Sequence, residues 1–216
     1  ILLSCFSVFL RFIVPPRIAR SGTLCYTEIN INHLEQGPPC HRINEVIPMP
    51  NRINYQLEME KVLRTLDGTR PTLLLHACCA PCSSATLERL ATYFDITILY
   101  YNPNIYPPEE YHRREAELER FVAQAGFHYP VVELPYDPQE FYSAVKGLEN
   151  EPEKGARCTV CYKLRLEQAA RYAAEHGFAW YCTTLSISPM KDPVRLNTLG
   201  TELGAQYGVQ FLPSEF

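Results

Sequence analysis

Short apolar runs alternating with segments of helical period place the tightest limit on how this chain can fold. The runs are Pro71–Ala77, Ile96–Tyr101, Val131–Leu134, Phe178–Thr184 and Val209–Leu212. They are brief, continuous and rich in β-formers, which suits strands buried on both faces of a parallel sheet. Between and around them, apolar residues recur at helical spacing. Helices are predicted over Tyr55–Leu63, Ser83–Tyr93, Pro107–Ala125, Pro138–Val145, Val160–His176 and Pro193–Tyr207. The alternation predicts an α/β domain, a mostly parallel sheet with helices on both faces.

Local signals sharpen the helix ends. Pro107-Pro108-Glu109-Glu110 suits a helix start, because proline is tolerated in the first turn and acids favour the positive end of the dipole. The predicted buried stripe of that helix is Tyr111, Leu118, Phe121, Val122 and Ala125, closed by Gly126. Gly68 and Gly177 close two others. Residues 1–50 read differently. Ile1–Val14 is apolar apart from Ser4, Ser7 and Arg11, too short for the ~20 residues that span a bilayer. It lacks the basic start of a secretory signal. No period lasts from Pro15 to Pro50, so residues 1–50 are expected to be a disordered or spurious leader and residues 51–216 the domain.

Composition matters chiefly through cysteine. A 216-residue chain, 46% apolar and 20% charged, has enough material for one well-cored domain. Its nine cysteines are clustered, three in Cys78–Cys82 and two in Cys158–Cys161. A secreted disulfide scaffold is usually short, with cysteines spread along it. Tight clusters in a cored domain point instead to a metal or redox site in a reducing compartment, here the cytoplasm. The net charge of −4 gives no overall polyanion-binding signature, although Asn150–Gly200 is slightly basic, with seven Lys/Arg against five Asp/Glu.

In open parallel sheets, ligands bind outside the carboxyl ends of the strands. Cys78–Cys82, Tyr101–Asn104 and Ser186–Pro189 each follow a predicted strand. A turn from strand to helix favours negative charge, and hence the thiolates that bind metals and act as nucleophiles. Adjacent Cys78 and Cys79 are expected to diverge, which suits a polynuclear cluster, or two neighbouring metals, better than one zinc. Cys158 and Cys161, three apart at a helix start, have the spacing by which zinc and iron–sulfur sites take two ligands from one turn. His76 and Cys182 lie on predicted buried strands and read as core. Asn102 and Asn104 flank prolines and could serve turn chemistry alone. His112, Arg113 and Arg114 read as a solvated helix face. Arg165 could sit beside the cysteines or pair with Glu167. Ser186 and Ser188 read as loop-shaping residues.

Three alternatives remain open on the residues alone. A thioredoxin-like thiol oxidoreductase would use Cys79-Ala-Pro-Cys82, but leaves Cys78, Cys158 and Cys161 unexplained. A zinc-stabilised nucleic-acid-binding module would use the cysteines structurally. A nucleotide-binding enzyme would need a Gly-rich phosphate loop after the first strand, where none occurs.

Five ordered segments carry a family resemblance: Leu73-Leu-Leu-His-Ala-Cys-Cys-Ala-Pro-Cys-Ser-Ser84, Tyr100-Tyr-Asn-Pro-Asn-Ile-Tyr-Pro107, Tyr136-Asp-Pro-Gln-Glu-Phe-Tyr142, Arg157-Cys-Thr-Val-Cys-Tyr-Lys-Leu-Arg-Leu166 and Thr183-Thr-Leu-Ser-Ile-Ser-Pro189. Together they resemble the QueH type of epoxyqueuosine reductase, in order, from Asn54 to Phe216. The resemblance implies a fold of the adenine-nucleotide α-hydrolase-like (HUP) group. It implies a [4Fe-4S] cluster with a second iron beside it, and reduction of the epoxide of epoxyqueuosine at the tRNA wobble position, the last step of queuosine synthesis. It also implies an electron-donor protein or reductant as partner, and no membrane.

By the same resemblance, Cys78, Cys79, Cys158 and Cys161 match the cluster cysteines, and Cys82 a catalytic position that could serve the second metal. Removing an epoxide oxygen as water takes two electrons and two protons, which an iron–sulfur cluster and an open iron site can serve. A wobble base is single-stranded and can be splayed into a pocket. Tyr101, Tyr106 and Tyr111 are candidate stacking residues for it, with Asn102, Asn104 and Arg165 as further substrate contacts. The family continues past the Phe-Leu-Pro-Ser segment to a tail with a Cys-Gly-Cys pair. The chain ends at Phe216, so the expectation is a fragment that holds a cluster but turns over poorly.

Overall fold

The computed structural model describes residues 53–216, so the leader assigned to residues 1–50 lies outside the described residues. Five strands form one sheet: β1 (Thr72–Ala77), β2 (Asp95–Tyr100), β3 (Val131–Glu133), β4 (Trp180–Thr183) and β5 (Gln210–Phe211). Their spatial order is β3-β2-β1-β4-β5, and every neighbouring pair is parallel. Six helices accompany them: α1 (Tyr55–Thr65), α2 (Ala80–Leu90), α3 (Pro108–Gln124), α4 (Pro138–Ala144), α5 (Ala156–Glu175) and α6 (Pro193–Tyr207). This is the α/β architecture that the alternation predicts. No helix among the described residues is long and apolar enough to cross a membrane.

The strands carry side chains to alternate faces, and two cores result. On one face, Leu73, Leu75 and Ala77 of β1 and Ile96, Ile98 and Tyr100 of β2 pack with α1, α2 and α3 residues such as Met59, Leu87 and Leu118. On the other, Leu74, Leu99 and Tyr181 pack with Tyr162, Leu166, Ala169 and Ala173 of α5 and with Leu196 and Leu203 of α6. At ~25 cal/mol per Å² of buried apolar surface, this two-sided burial is the main force holding the sheet. Cys182 is fully buried in the first core, as its strand position predicts. α6 lies so close to β5 that a Cβ on Gly200 would sit 2.5 Å from the Phe211 ring.

Three local expectations need correction. α2 begins at Ala80 rather than Ser83, because Pro81 is tolerated in a first helical turn. Cys82 is therefore a helical residue. α5 begins at Ala156 rather than Val160, with Gly155 as its N-cap. In α3, Tyr111, Leu118 and Val122 are buried, but Ala125 is the exposed C-cap, past the end of the apolar stripe.

The chain builds outward from β1 to β3, then returns to β1's other side for β4 and β5. The order thus reverses between β1 and β4. In doubly wound sheets the ligand crevice opens at that reversal, beyond the carboxyl ends of the strands.

Candidate metal centre

Cys78 and Cys79 follow β1, and Thr183 ends β4 with Thr184 next, at the two lips of that crevice. A polar network joins the strand ends beneath it. His76 is fully buried, its Nδ1 2.9 Å from Thr183 Oγ1 and its Nε2 3.0 Å from the Tyr101 carbonyl. A carbonyl only accepts, so Nε2 carries the proton and Nδ1 accepts from the threonine hydroxyl. That hydroxyl oxygen in turn accepts from Leu185 N–H at 3.2 Å. Burial, reinforced by the Arg165 charge, pushes the His76 imidazole down to about 4, so it is neutral. His76 is a hydrogen-bonded core residue, as its place on the strand predicts. Asn102 Nδ2 donates to the Ala77 carbonyl at 2.9 Å, tying β2 to β1 at the same level.

The thiols of Cys78, Cys79 and Cys82 lie within 4.8 Å of one another and could hold a metal ion. The chain bends at Cys78, and Cys79, the N-cap of α2, is extended. This brings the two adjacent sulfurs to 3.7 Å, so the expected divergence does not occur. Hydrogen bonds from Cys79 and Cys82 hold the Cys78 thiol far below its ordinary range. The same contacts raise Cys79 and Cys82. Charge therefore concentrates on Cys78, and its two neighbours keep their protons. Thr184 Oγ1 donates to Cys78 Sγ at 3.5 Å and accepts from Cys78 N–H at 3.3 Å.

Cys158 and Cys161 reach the same place from α5. All five cysteines line one cavity of about 430 Å³. Cys158 is buried against the second core, where Cys78 also packs. The buried Arg165 donates through Nη2 to Cys161 Sγ at 3.3 Å and through Nε to the Cys161 carbonyl at 3.2 Å. It sits beside the cysteines, while Glu167 accepts from Tyr207 instead. The starts of α2 and α5 thus bring five thiols to one crevice, where Thr184 after β4 and Arg165 within α5 direct donors at two of the sulfurs. Such a donor set suits a thiolate-bound metal group of net negative charge.

The other expected site residues divide. Asn102, Asn104 and Arg165 line the cavity. Tyr101 does not: it is buried, and its hydroxyl donates to the Glu140 carboxylate. Tyr111 is also core, stacked on Tyr136 with centroids 4.0 Å apart. Neither ring face is open to a base, which corrects their assignment as stacking residues. Tyr106 stands 64% exposed outside the lining. Ser188 Oγ accepts from Met190 N–H, and Ser186 meets Ser214, consistent with loop shaping.

Several wall residues are not legible in the sequence. Arg114 belongs to a charged run that reads as a solvated face, but it lines the cavity and bonds Glu110 at 2.6 Å. Arg157, Lys191, Phe141 and Thr184 line it too. Thr184 carries a signal, standing just past a strand end at the crevice. The others carry none: helical period does not say which flank of a face meets a cavity, and Lys191 lies in the loop before α6. The wall holds Arg114, Arg157, Arg165 and Lys191 against one carboxylate, Glu153, which pairs with Lys191 at 3.2 Å.

A family model described as epoxyqueuosine reductase QueH matches residues 73–216. The epoxyqueuosine reductase QueH of Staphylococcus epidermidis is 42% identical over 175 residues, covering 76% of this chain and 74% of that protein. That of Streptococcus pyogenes serotype M1 is 41% identical over 174 residues, covering 77% and 68%. That of Histophilus somni is 44% identical over 136 residues, covering 62% and 55%. A solved structure, a predicted subunit of tRNA methyltransferase from Methanocaldococcus jannaschii, aligns with a TM-score of 0.41 and 16% identity over 64% of this chain and 65% of that one, too distant to argue from.

Proposed function

The chain belongs to the QueH family of epoxyqueuosine reductases, and on that premise we propose that its cysteine-lined crevice reduces the epoxide of epoxyqueuosine in tRNA to the alkene with an iron–sulfur cluster. The observation that carries this reading is the convergence of five thiols from two helix N-termini on one cavity at the reversal of strand order. Cys78, Cys79, Cys158 and Cys161 are the proposed cluster ligands. Cys82, on the first turn of α2, is the proposed catalytic thiol and the residue open to a second iron.

The balance is simple. The epoxide takes up two electrons and two protons, both carbon–oxygen bonds break, and an alkene and water leave. When bound, an iron–sulfur cluster supplies electrons one at a time, and an iron with an open position polarises an oxygen. The chain's own residues do the rest. Thr184 and Arg165 aim hydrogen-bond donors at the Cys78 and Cys161 sulfurs. Cys82, on the first turn of α2 and lining the cavity, is proposed to pass a proton to the departing oxygen. Asn102 and Asn104 on the β2 side are proposed to orient the modified base. Arg114, Arg157 and Lys191 give the mouth the charge that suits a phosphate backbone. An electron-donor protein or small reductant refills the site, and the cytoplasm is its proposed compartment.

The test is anaerobic iron and sulfide analysis with Mössbauer spectroscopy, followed by conversion of epoxyqueuosine in tRNA with a chemical reductant. Bound iron and sulfide, with iron in excess of sulfide when Cys82 holds a second iron, and formation of the alkene are expected. Zinc without sulfide would support a structural zinc module, and metal-free thiol exchange at Cys79 and Cys82 a thioredoxin-like one.

A further inference from the structure

We propose that Tyr106 and Tyr142 form a stacking platform at the cavity mouth for unpaired nucleobases flanking the modified base; this rests on the function proposed above. Aromatic rings in this domain are mostly consumed by packing. Tyr100, Tyr111, Tyr162 and Tyr181 are fully buried. Among the described residues three tyrosines are exposed, Tyr93 at 39%, Tyr106 at 64% and Tyr142 at 44%, and the last two come together. Single exposed aromatics are ordinary. These two meet each other, with centroids 6.4 Å apart and planes 70° apart.

Their position relates them to the site. Ile105 and Phe141, their immediate chain neighbours, both line the cavity. The rings come from separate segments, the loop after β2 and helix α4. Those segments are pinned together: Tyr136 Oη donates to the Ile105 carbonyl at 2.6 Å, and Tyr101 donates to Glu140 of α4. Tyr142 also packs at 5.8 Å on Phe141, so an aromatic path leads from the cavity wall to solvent. A platform fixed by neighbouring hydrogen bonds loses little freedom when a base arrives.

The occupant follows from shape and charge. Two rings nearly perpendicular offer faces in two directions. They suit bases splayed apart rather than a continuous helical stack, as in a single-stranded loop whose central base has been drawn into a pocket. The cation-rich cavity wall alongside supplies the phosphate complement. Stacking on a π-face needs no particular base, so the platform would hold the loop while the cavity reads the modification.

The experiment uses the full chain, reconstituted anaerobically, and an anticodon stem-loop RNA with epoxyqueuosine at the wobble position and a fluorescent adenine analogue beside it. Wild-type protein is expected to quench the analogue. Tyr106→Ala and Tyr142→Ala are each expected to bind roughly tenfold more weakly with less quenching. They should raise KM while leaving kcat, iron and sulfide unchanged, whereas Tyr106→Phe and Tyr142→Phe keep wild-type behaviour. Alanine variants that bind and quench like wild type would overturn the platform while leaving the reductase reading standing. So would phenylalanine variants as weak as alanine, because the hydroxyls and not the ring faces would then matter. Self-association of wild type lost in the alanine variants, with RNA binding unchanged, would assign the rings to a protein interface instead. A wild-type protein that neither binds nor reduces the RNA would remove the function and the platform together.

Discussion

At the turn after β1, Cys78 and Cys79 rest on a polar network; on α5, Cys158 rests in the second core and Cys161 takes a hydrogen bond from Arg165. Beneath the first pair lie neutral His76, Thr183, Asn102 and Thr184, each joined to a backbone or side-chain partner on a neighbouring strand end. Beneath the second lie Tyr162, Leu166, Ala169, Ala170 and Ala173, packed against Leu74 and Tyr181 of the sheet. The same cavity wall is thus held by directional bonds on one side and by close packing on the other. Directional bonds fix the sulfurs' positions but depend on protonation. Packing is indifferent to pH but sensitive to volume.

The largest expected effect tests whether both sides serve one metal group. Cys78→Ser, Cys79→Ser, Cys158→Ser and Cys161→Ser should each lose nearly all iron and sulfide in anaerobic reconstitution. Cys82→Ser should keep the cluster's iron and sulfide and lose turnover. Full sulfide in Cys158→Ser, with loss in Cys82→Ser, would place the metal on the close grouping of Cys78, Cys79 and Cys82 alone.

Acid should attack only the polar side. An ordinary histidine ionises near pH 6.5, and folding pushes His76 down to about 4. Above pH 6.5 it is neutral in both states and costs nothing. As pH falls from 6.5 to 4, the unfolded chain takes up the proton and the folded one does not, so stability drops. The full loss is about 3 kcal/mol, flat below pH 4. Urea unfolding of the metal-free protein over that range should show this slope, and His76→Gln should show a shallower one. Equal slopes would remove the buried histidine from the account.

Volume should attack only the packed side. Ala170 is fully buried where α5 meets the sheet. Ala170→Leu should destabilise by about 2 kcal/mol through overpacking, with an unchanged pH slope by the same measurement. The smallest effect sharpens the comparison at one bond. Thr184→Val keeps the shape but removes both hydrogen bonds to Cys78, costing about 1 kcal/mol in thermal unfolding. It should also shift the thiolate absorbance of the metal-free protein to higher pH, because Cys78 loses a donor.

The elements themselves are largely legible in the sequence. β1 and β2 show as leucine- and isoleucine-rich runs, and α6 from Pro193 to Tyr207 is visible to the residue. Boundaries fail where a proline or glycine can serve inside or outside a helix, at Ala80 and Ala156. The five cysteines are legible as chemistry because packing alone seldom places three in five residues and two more at helical spacing. The tyrosines are not. Tyr101, Tyr106 and Tyr111 look alike in sequence, yet two are core and one is solvated. Tyr142 carries no signal at all.

What the sequence determined alone was periodicity, and periodicity decides which residues share a face: alternate positions on β1, and every third or fourth on α5. It also determined the cysteine spacings, because a short turn leaves the backbone few conformations. Only the tertiary structure decided which face is covered and by what. The return of the chain to the far side of β1 brings Cys158 and Cys161 to Cys78, about eighty residues earlier. Arg114 of α3 lines the same cavity, while its neighbour Arg113 pairs with Glu110 and Glu117 on the exposed side. Those outcomes depend on burying both faces of one sheet at once, a demand that no local stretch of sequence records.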